Sequence, residues 1–507
     1  MNYSIYILSA ALIFGFLFIL WNYAKGLKDS PREIWILFSA KLLEYAAYGA
    51  SNMAFVLYLS KDCGLDDIAA GSYIGTWSTL MTCISILVGS VVDAIGIKRT
   101  LIIGMGAMLF GRLVMPFTNQ LILVSLFAFI PVAIGNAILI PVLSVGIKKY
   151  TTTKSTALGF GLFYTLMNVG FALGGYIFDK VRDIFGEHTI QIIPVAGIEI
   201  STYQIIFLVS FIITIPSMLL IFAMREGVSL SENGIISIIQ KERNDLSFFK
   251  SLIQEIKKSL IDTVKIMKTV FFEKTFWTYL FMLGILVFVK LVFYHFNYTF
   301  PKYGIRVLGD GIKVGSIYGI LNPVMIIFLV PLIAHFTKHI KSYYMLIVGT
   351  VVSSISIFIA AIPGFLFEPL IKTWFGNLIL VDWLELNPDR QNPIILGLVF
   401  FIIFFTIGEA IWSPRLMQFS AEIAPVGREG TYIALSYLPY FLAKMIAGPL
   451  SGWLLATYTP EGANSYPDQF MIWIWIGGMT VLSPIGLVVF RGLFMRRGDA
   501  KLTNDLN

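Results

Sequence analysis

The chain has 507 residues, of which 57% are hydrophobic and only 13% are charged, and its mean hydropathy is +0.80. Soluble domains carry about 25% charged residues, so this composition excludes an ordinary soluble protein and indicates one that crosses a membrane several times. The net charge of +7 does not indicate nucleic-acid binding, because the basic residues lie in short segments between apolar runs. The only cysteines, Cys63 and Cys83, provide neither a disulfide framework nor a thiolate metal cluster, and no cofactor is expected.

Thirteen apolar runs are long enough to cross a bilayer, which takes about 20 helical residues. The first, 4–24, is predicted as an extra transmembrane helix. A cleaved signal peptide is the weaker alternative, because no basic stretch precedes the run. The other predicted spans lie near 34–60, 69–92, 100–117, 120–147, 156–179, 203–224, 276–300, 312–335, 343–363, 394–417, 430–457 and 469–491.

A charged segment divides this series after the seventh run. Within it, 247–272 repeats apolar residues at spacings of three and four, which predicts an amphipathic helix on the membrane surface. Lys and Arg concentrate on one side of the predicted topology, and acidic loops such as 363–393 lie on the other. The basic side is therefore expected to be cytoplasmic, with the C-terminus inside and the N-terminus outside, in a bacterial inner membrane.

Six helices, a cytoplasmic linker and six more helices form the pattern of a two-bundle secondary transporter. The predicted fold is thus an all-α polytopic membrane protein of two six-helix bundles with one extra N-terminal helix. The predicted divisions are an N-terminal helix and link, a first bundle, a linker, a second bundle and a tail: 1–33, 34–225, 226–274, 275–491 and 492–507.

The junction between the second and third core helices carries a motif, "GSVVDAIGIKRT". It resembles the loop signature of the major facilitator superfamily, in which glycines allow a tight turn and an aspartate serves as a conformational latch. Ile97 departs from the pattern, since many members have arginine there. The residues assigned to the latch are Gly89, Asp93, Gly96, Lys98 and Arg99.

Four further segments resemble the proton-dependent oligopeptide transporters. They are "LEYAAYGASNMAFVLYLSKDCGLDD", "FIPVAIGNAILIPVLSVGIKKY", "GFGLFYTLMNVGFALGG" and "GEAIWSPRLMQFSAEIAP". The resemblance implies a tenth-helix glutamate near the peptide amino group, and Glu409 matches it. The first-helix acids and arginine of that family fall on Ala40, Leu43 and Glu44, and its fourth-helix lysine falls on Ile140. Most of the proton-coupling set is therefore missing.

Lys41 and Glu44 are three residues apart in a predicted spanning helix, so they share a face. Charges at this depth are costly and need a partner or a wet cavity. Two interpretations stay open: a self-neutralising structural pair, or a titrating Glu44 tuned by Lys41, with Tyr45 and Tyr48 adding hydroxyl groups to the same face.

Glu409 has no basic residue one turn before it, which favours a functional role. Lys444 is the better candidate to pair with Glu409 or to bind an anionic group; Lys290 is a further candidate, with an outward-snorkelling side chain as the alternative. Arg112 is interpreted as a snorkelling anchor and His295 as an interfacial residue.

The leading hypothesis is a secondary active transporter of a small polar or charged organic solute, with peptides the best guess, working by alternating access and coupled to protons. The alternatives are an uncoupled facilitator or exporter, and a non-transporting receptor or scaffold. An enzyme is not expected, and the expected partners are a small solute, protons and lipid, for a protein working as a monomer. The candidate binding or coupling residues are Lys41, Glu44, Tyr45, Tyr48, Tyr164, Asn168, Lys290, Glu409 and Lys444.

Overall fold

The computed structural model describes residues 3–193, 197–231, 235–238, 257, 261, 271–424 and 438–494. These residues are mostly helical, as the apolar runs predict. The amphipathic helix predicted over 247–272 lies almost wholly outside the described residues, as does the start of the predicted span 430–457.

The chain divides into two compact units. The first unit comprises Tyr3–Gly64 and Trp77–Lys265, and the second comprises Leu65–Thr76 and Ile266–Asn507. The bundle boundaries predicted from the sequence, 34–225 and 275–491, stay predictions.

The helices of the first part of the chain follow the apolar runs closely. They are α1 (Tyr3–Gly26), α2 (Arg32–Lys61), α3 (Asp67–Ile95), α4 (Ile97–Val114), α5 (Leu121–Tyr150, with a π-helical turn at Val124–Phe129), α6 (Thr156–Phe185) and α7 (Thr202–Phe222). Local sequence explains two of the boundaries. Gly96, with φ of 84°, permits the turn between α3 and α4. Ser201 and Gln204 form a reciprocal capping box at the start of α7.

The later helices are also apolar, except for one short helix that carries Lys302 and Arg306. They are α8 (Lys274–Tyr298), α9 (Phe300–Leu308), α10 (Gly315–Phe336), α11 (Ser342–Ala361), α12 (Ile394–Ile423), α13 (Leu438–Tyr458), α14 (Met471–Thr480) and α15 (Leu482–Val489). Among the described residues, nine helices meet both the length and the hydropathy expected of a membrane span. The prediction of an all-α polytopic membrane fold is confirmed.

Small residues set how closely the helices cross. In the first unit α6 lies against α2 at Gly170 and Gly174, where an added Cβ on Gly174 would come 2.7 Å from Ala50 N. In the second unit α11 crosses α12 at Gly349 and Gly408. Such backbone contact is the usual packing of membrane helices, since lipid supplies no hydrophobic force between them.

Three connections differ from the sequence prediction. Residues 363–393, expected as a loop, contain short helical pieces, and those over Gly364–Ile371 and Trp374–Trp383 meet at a bend of 95°. Two antiparallel hairpins also form, Ile190–Ile193 with Ile198–Ser201 and Val228–Leu230 with Ile236–Ile238. These elements are too short to produce the long apolar runs on which the prediction relied.

Candidate functional site

The first unit contains a buried ion pair that joins two helices. Arg112 of α4 donates from Nη1 to Glu44 Oε2 of α2 at 2.7 Å, and also to the hydroxyl of Thr214 on α7. Arg112 and Glu44 are both 1% exposed. The interpretation of Arg112 as a snorkelling anchor is therefore wrong, because its guanidinium points into the unit and neutralises a carboxylate.

Lys41 lies one turn before Glu44 but does not pair with it. Its side chain is fully buried, and within the described part of the chain its Nζ has no hydrogen-bond partner. The ammonium instead lies over the rings of Phe163 and Tyr45, 4.9 Å from the Tyr45 centroid. A self-neutralising Lys41–Glu44 pair is therefore wrong, since Arg112 takes the carboxylate.

The predicted aromatic residues of α2 form a cluster with α6. Tyr45 and Tyr48 both pack edge-to-face on Phe171, with centroid separations of 5.2 and 6.1 Å. Asn168 Nδ2 donates to the backbone oxygen of Tyr164 at 2.9 Å, within α6. The structure thus brings Tyr45 and Tyr48 together on α2, the helix that carries Lys41 and Glu44. Tyr164 and Asn168 lie one turn apart on the neighbouring helix, α6.

The second unit contains a separate buried carboxylate. Glu409 of α12 is 7% exposed, and its Oε2 accepts a hydrogen bond from Asn322 Nδ2 of α10 at 2.8 Å. The same amide donates to Thr406 Oγ1 at 2.9 Å. A neutral amide, rather than a cation, therefore makes the direct hydrogen bond to this carboxylate.

Lys290 of α8 is a buried lysine near Glu409, because it packs on Trp412, one helical turn after Glu409 in α12. It is fully buried, and within the described residues its Nζ makes no hydrogen bond. The ammonium lies 3.5 Å from the ring centroid of Tyr440 and 4.1 Å from that of Trp412. Aromatic faces attract a cation in this position.

Lys444 and His295 lie apart from the Glu409–Asn322 hydrogen bond. Lys444 of α13 is half-buried, with its Nζ 5.7 Å from the ring centroid of Tyr294, and Asn322 rather than Lys444 makes the hydrogen bond to Glu409. His295 is 1% exposed, and its Nδ1 lies 2.7 Å from Thr299 Oγ1; its interfacial position stays a prediction. Within the described residues, no three His, Cys, Asp or Glu side chains come together as metal ligands.

The family is decided by the sequence profile that matches this chain. The profile of the Major Facilitator Superfamily matches residues 37–387, more than two thirds of the chain. The chain belongs to the Major Facilitator Superfamily. It is thus a multi-pass membrane transporter that moves a small solute by alternating access.

Solved structures agree on the fold of this superfamily member. A POT family transporter in complex with 5-aminolevulinic acid has a TM-score of 0.65 and 16% identity, covering 92% of this chain and 97% of its own. A POT family transporter bound to a thioalcohol-conjugated peptide gives the same score and identity, covering 92% and 99%. A D-xylose–proton symporter reaches 0.59 at 15% identity, covering 90% and 96%. No curated protein matches the sequence.

The superfamily loop signature lies at the turn between α3 and α4. Lys98 Nζ donates to the backbone oxygen of Met224 at 2.7 Å, and Arg99 pairs with Glu226 at 2.6 Å. Both basic residues therefore bind the chain just after α7. Gly89 and Asp93 lie in the last turns of α3. The latch role of the five residues stays a prediction.

Sequence reasoning missed two partners of the buried carboxylates. Asn322 was not among the candidate site residues, and Arg112 was interpreted only as an anchor. The signal for Arg112 was present, because an arginine in an apolar helix normally faces a partner in the protein interior. What the sequence did not reveal was which helix carries that partner, 68 residues away.

Proposed function

We propose that this transporter moves a small peptide-like solute together with protons, and that Glu409 carries the coupled proton. The observation that carries the proposal is the buried Glu409 carboxylate, which accepts a hydrogen bond from the neutral Asn322 and lies one helical turn from Trp412, the ring on which Lys290 packs. Peptide transporters and a proton symporter share the fold, which supports the choice of solute and ion.

The chemistry follows from the burial of both charges. Removing a carboxylate from water favours its protonated form, whereas a neighbouring ammonium favours the ionised form. Glu409 therefore stands between two opposing influences, and a proton can change its state at low cost. Protonation of Glu409 removes the negative charge that balances Lys290, so Lys290 becomes available to an anionic group of the solute.

The remaining features of the proposal come from the sequence pattern. The Lys and Arg bias supports a cytoplasmic C-terminus and an outside N-terminus. A bacterial inner membrane is part of the proposal. The sequence pattern of two six-helix bundles within one chain supports a monomer as the working unit.

The direct test is uptake into proteoliposomes under an imposed pH gradient, with labelled di- and tripeptides as solutes. We expect Glu409→Gln to abolish gradient-driven accumulation while solute exchange without a gradient persists, because the amide keeps the shape but cannot carry the proton. The matched control is Glu422→Gln on the same helix, whose exposed carboxylate binds Ser342 and Gln418. This control should accumulate solute as the unmodified protein does.

An uncoupled facilitator is the second candidate, and one observation favours it. Arg112 neutralises Glu44, the only acid at the motif positions of the first core helix, so that carboxylate is poorly suited to carry a proton. Uptake that only equilibrates the solute, does not respond to the pH gradient, and is unchanged in Glu409→Gln would replace coupling by facilitated diffusion. Solute binding without any flux would instead indicate a receptor.

A further inference from the structure

The connection between α11 and α12 exposes an apolar surface that transport does not explain. It contains the bent segment, Gly364–Trp383, made of two helical pieces that meet at 95°. Phe365, Leu366 and Trp374 are 63%, 57% and 59% exposed. The segment is held in place from its other side, since Phe367 and Phe375 both stack on Phe400 of α12.

The packing of α11 against α12 decides whether the bent segment can cross the membrane. Gly349 of α11 lies against Trp412 of α12, whereas Ser353, one turn later, lies against Phe405. The two helices therefore run antiparallel, and the connection begins and ends at the same face of the membrane. The bent segment is apolar enough to be taken for a span, yet it cannot be one that crosses.

The placement of charge decides how deep the segment lies. Glu368 and Lys372, close to the bend, are both exposed. A bend that entered the hydrocarbon would carry these two charges with it, which is costly. A segment lying flat in the interface avoids that cost, because its charges reach the headgroups while its apolar side chains enter the acyl boundary.

We infer that Gly364–Trp383 is an interfacial element, whose Phe365, Leu366 and Trp374 side chains are inserted into one leaflet of the bilayer. Lipid is the occupant because the two adjoining spans also expose apolar side chains, Ile355 of α11 at 61% and Phe404 of α12 at 45%, and a spanning helix exposes such side chains to lipid. Trp is enriched at membrane interfaces, and Trp, Phe and Leu form the apolar face of helices that lie in the interface. The inference is independent of the solute and of proton coupling.

The test measures the surroundings of single nitroxide labels in lipid nanodiscs. The chain has only two cysteines, so Cys63→Ser with Cys83→Ser supplies a background for Leu366→Cys and Trp374→Cys. We expect collisions with lipid-soluble oxygen to exceed those with a water-soluble nickel chelate at both positions. The matched controls are Leu219→Cys on the exposed face of α7, for lipid, and Asp389→Cys in the same connection, for water.

Two results would overturn the inference. Labels at 366 and 374 that behave like the label at 389 would place the segment in water. Labels shielded from both oxygen and nickel would show that protein covers it. Brominated lipids provide a second measurement without labels: the difference in quenching between the unmodified protein and Trp374→Phe isolates one of the 10 tryptophans. That difference should be positive, and its absence would contradict lipid contact.

Discussion

The Arg112–Glu44 pair is the residue-scale feature on which the first unit depends most. Both side chains are removed from water, so neither charge can be solvated if its partner is lost. Arg112→Gln or Glu44→Gln alone should lower the free energy of unfolding by about 3–5 kcal/mol. The double variant should recover much of that loss, because two amides can bond to each other without a buried charge.

Thermal unfolding in detergent, monitored by intrinsic fluorescence, measures all three variants. Arg415→Gln is the control, since this arginine binds Thr337 and Gln418 near the end of its helix, with a half-exposed side chain. If the losses of stability in the two single variants simply add in the double variant, Arg112 and Glu44 do not stabilise each other, and the proposed dependence is wrong.

The same residues show what a single sequence can predict about a site. Spacing within a helix placed Lys41, Glu44, Tyr45 and Tyr48 on one face, and the structure confirms Tyr45 beside Tyr48 at 6.4 Å. Partners on other helices depend on tertiary packing, which spacing does not encode. Glu44 was therefore assigned to Lys41, its neighbour in sequence, rather than to Arg112.

At the scale of elements, the crossing of α2 and α6 is set by glycine. A Cβ on Gly174 would lie 2.7 Å from Ala50 N, 2.8 Å from Ala46 O and 2.8 Å from the Cα of Gly49. Because all three are backbone atoms, Gly174→Ala can be accommodated only by moving the helices apart. We expect a lower unfolding temperature and reduced transport.

The matched control for this change is Gly106→Ala in α4, where nothing lies within 4 Å of an added Cβ. Alanine there should be neutral or stabilising by up to about 1 kcal/mol, since glycine is the poorer helix former. Equal effects of the two substitutions, measured by thermal unfolding and uptake, would show that close approach at Gly174 is not what matters.

Element prediction succeeded wherever an apolar run was long. The bounds of α2, for example, extend the predicted 34–60 only to Arg32–Lys61. It failed for Gly364–Trp383, because short pieces interrupted by Glu368 and Lys372 look like a polar loop. A helix that gains its stability by packing on Phe400 leaves little trace in local hydropathy.

At the scale of the whole molecule, each compact unit contains a buried carboxylate in the first turn of a long helix, outside the spans predicted at 34–60 and 69–92. Glu33, at the start of α2, accepts from Arg225 Nε at 2.7 Å and Nη2 at 3.0 Å. Asp67, at the start of α3, accepts from Lys302 Nζ and Arg306 Nη1, each at 2.8 Å. These contacts join α2 to the chain after α7 in the first unit, and α3 to α9 in the second.

Burial alone would raise the pKa of Glu33, but the hydrogen bonds from Arg225 outweigh it and lower the pKa to about 2, from 4.5. The pKa of Asp67 is lowered likewise, where burial is outweighed by Arg306 and Lys302. A depressed pKa means that the unfolded chain binds protons first as the solution is acidified. The free energy of folding that these ionised groups contribute is therefore fully present above the pKa values of the unfolded chain. It is lost as the pH falls through the pKa values of the folded protein.

Acidification from about pH 5 to pH 3 should accordingly lower the unfolding temperature of the unmodified protein. The fall should be smaller in Glu33→Gln and smallest in Glu33→Gln with Asp67→Asn, because an amide has no proton to gain. Thermal unfolding in detergent at several pH values measures this, with Glu368→Gln as the control, since its exposed carboxylate should leave the pH profile unchanged. A double variant that loses as much stability on acidification as the unmodified protein would show that other carboxylates govern acid unfolding.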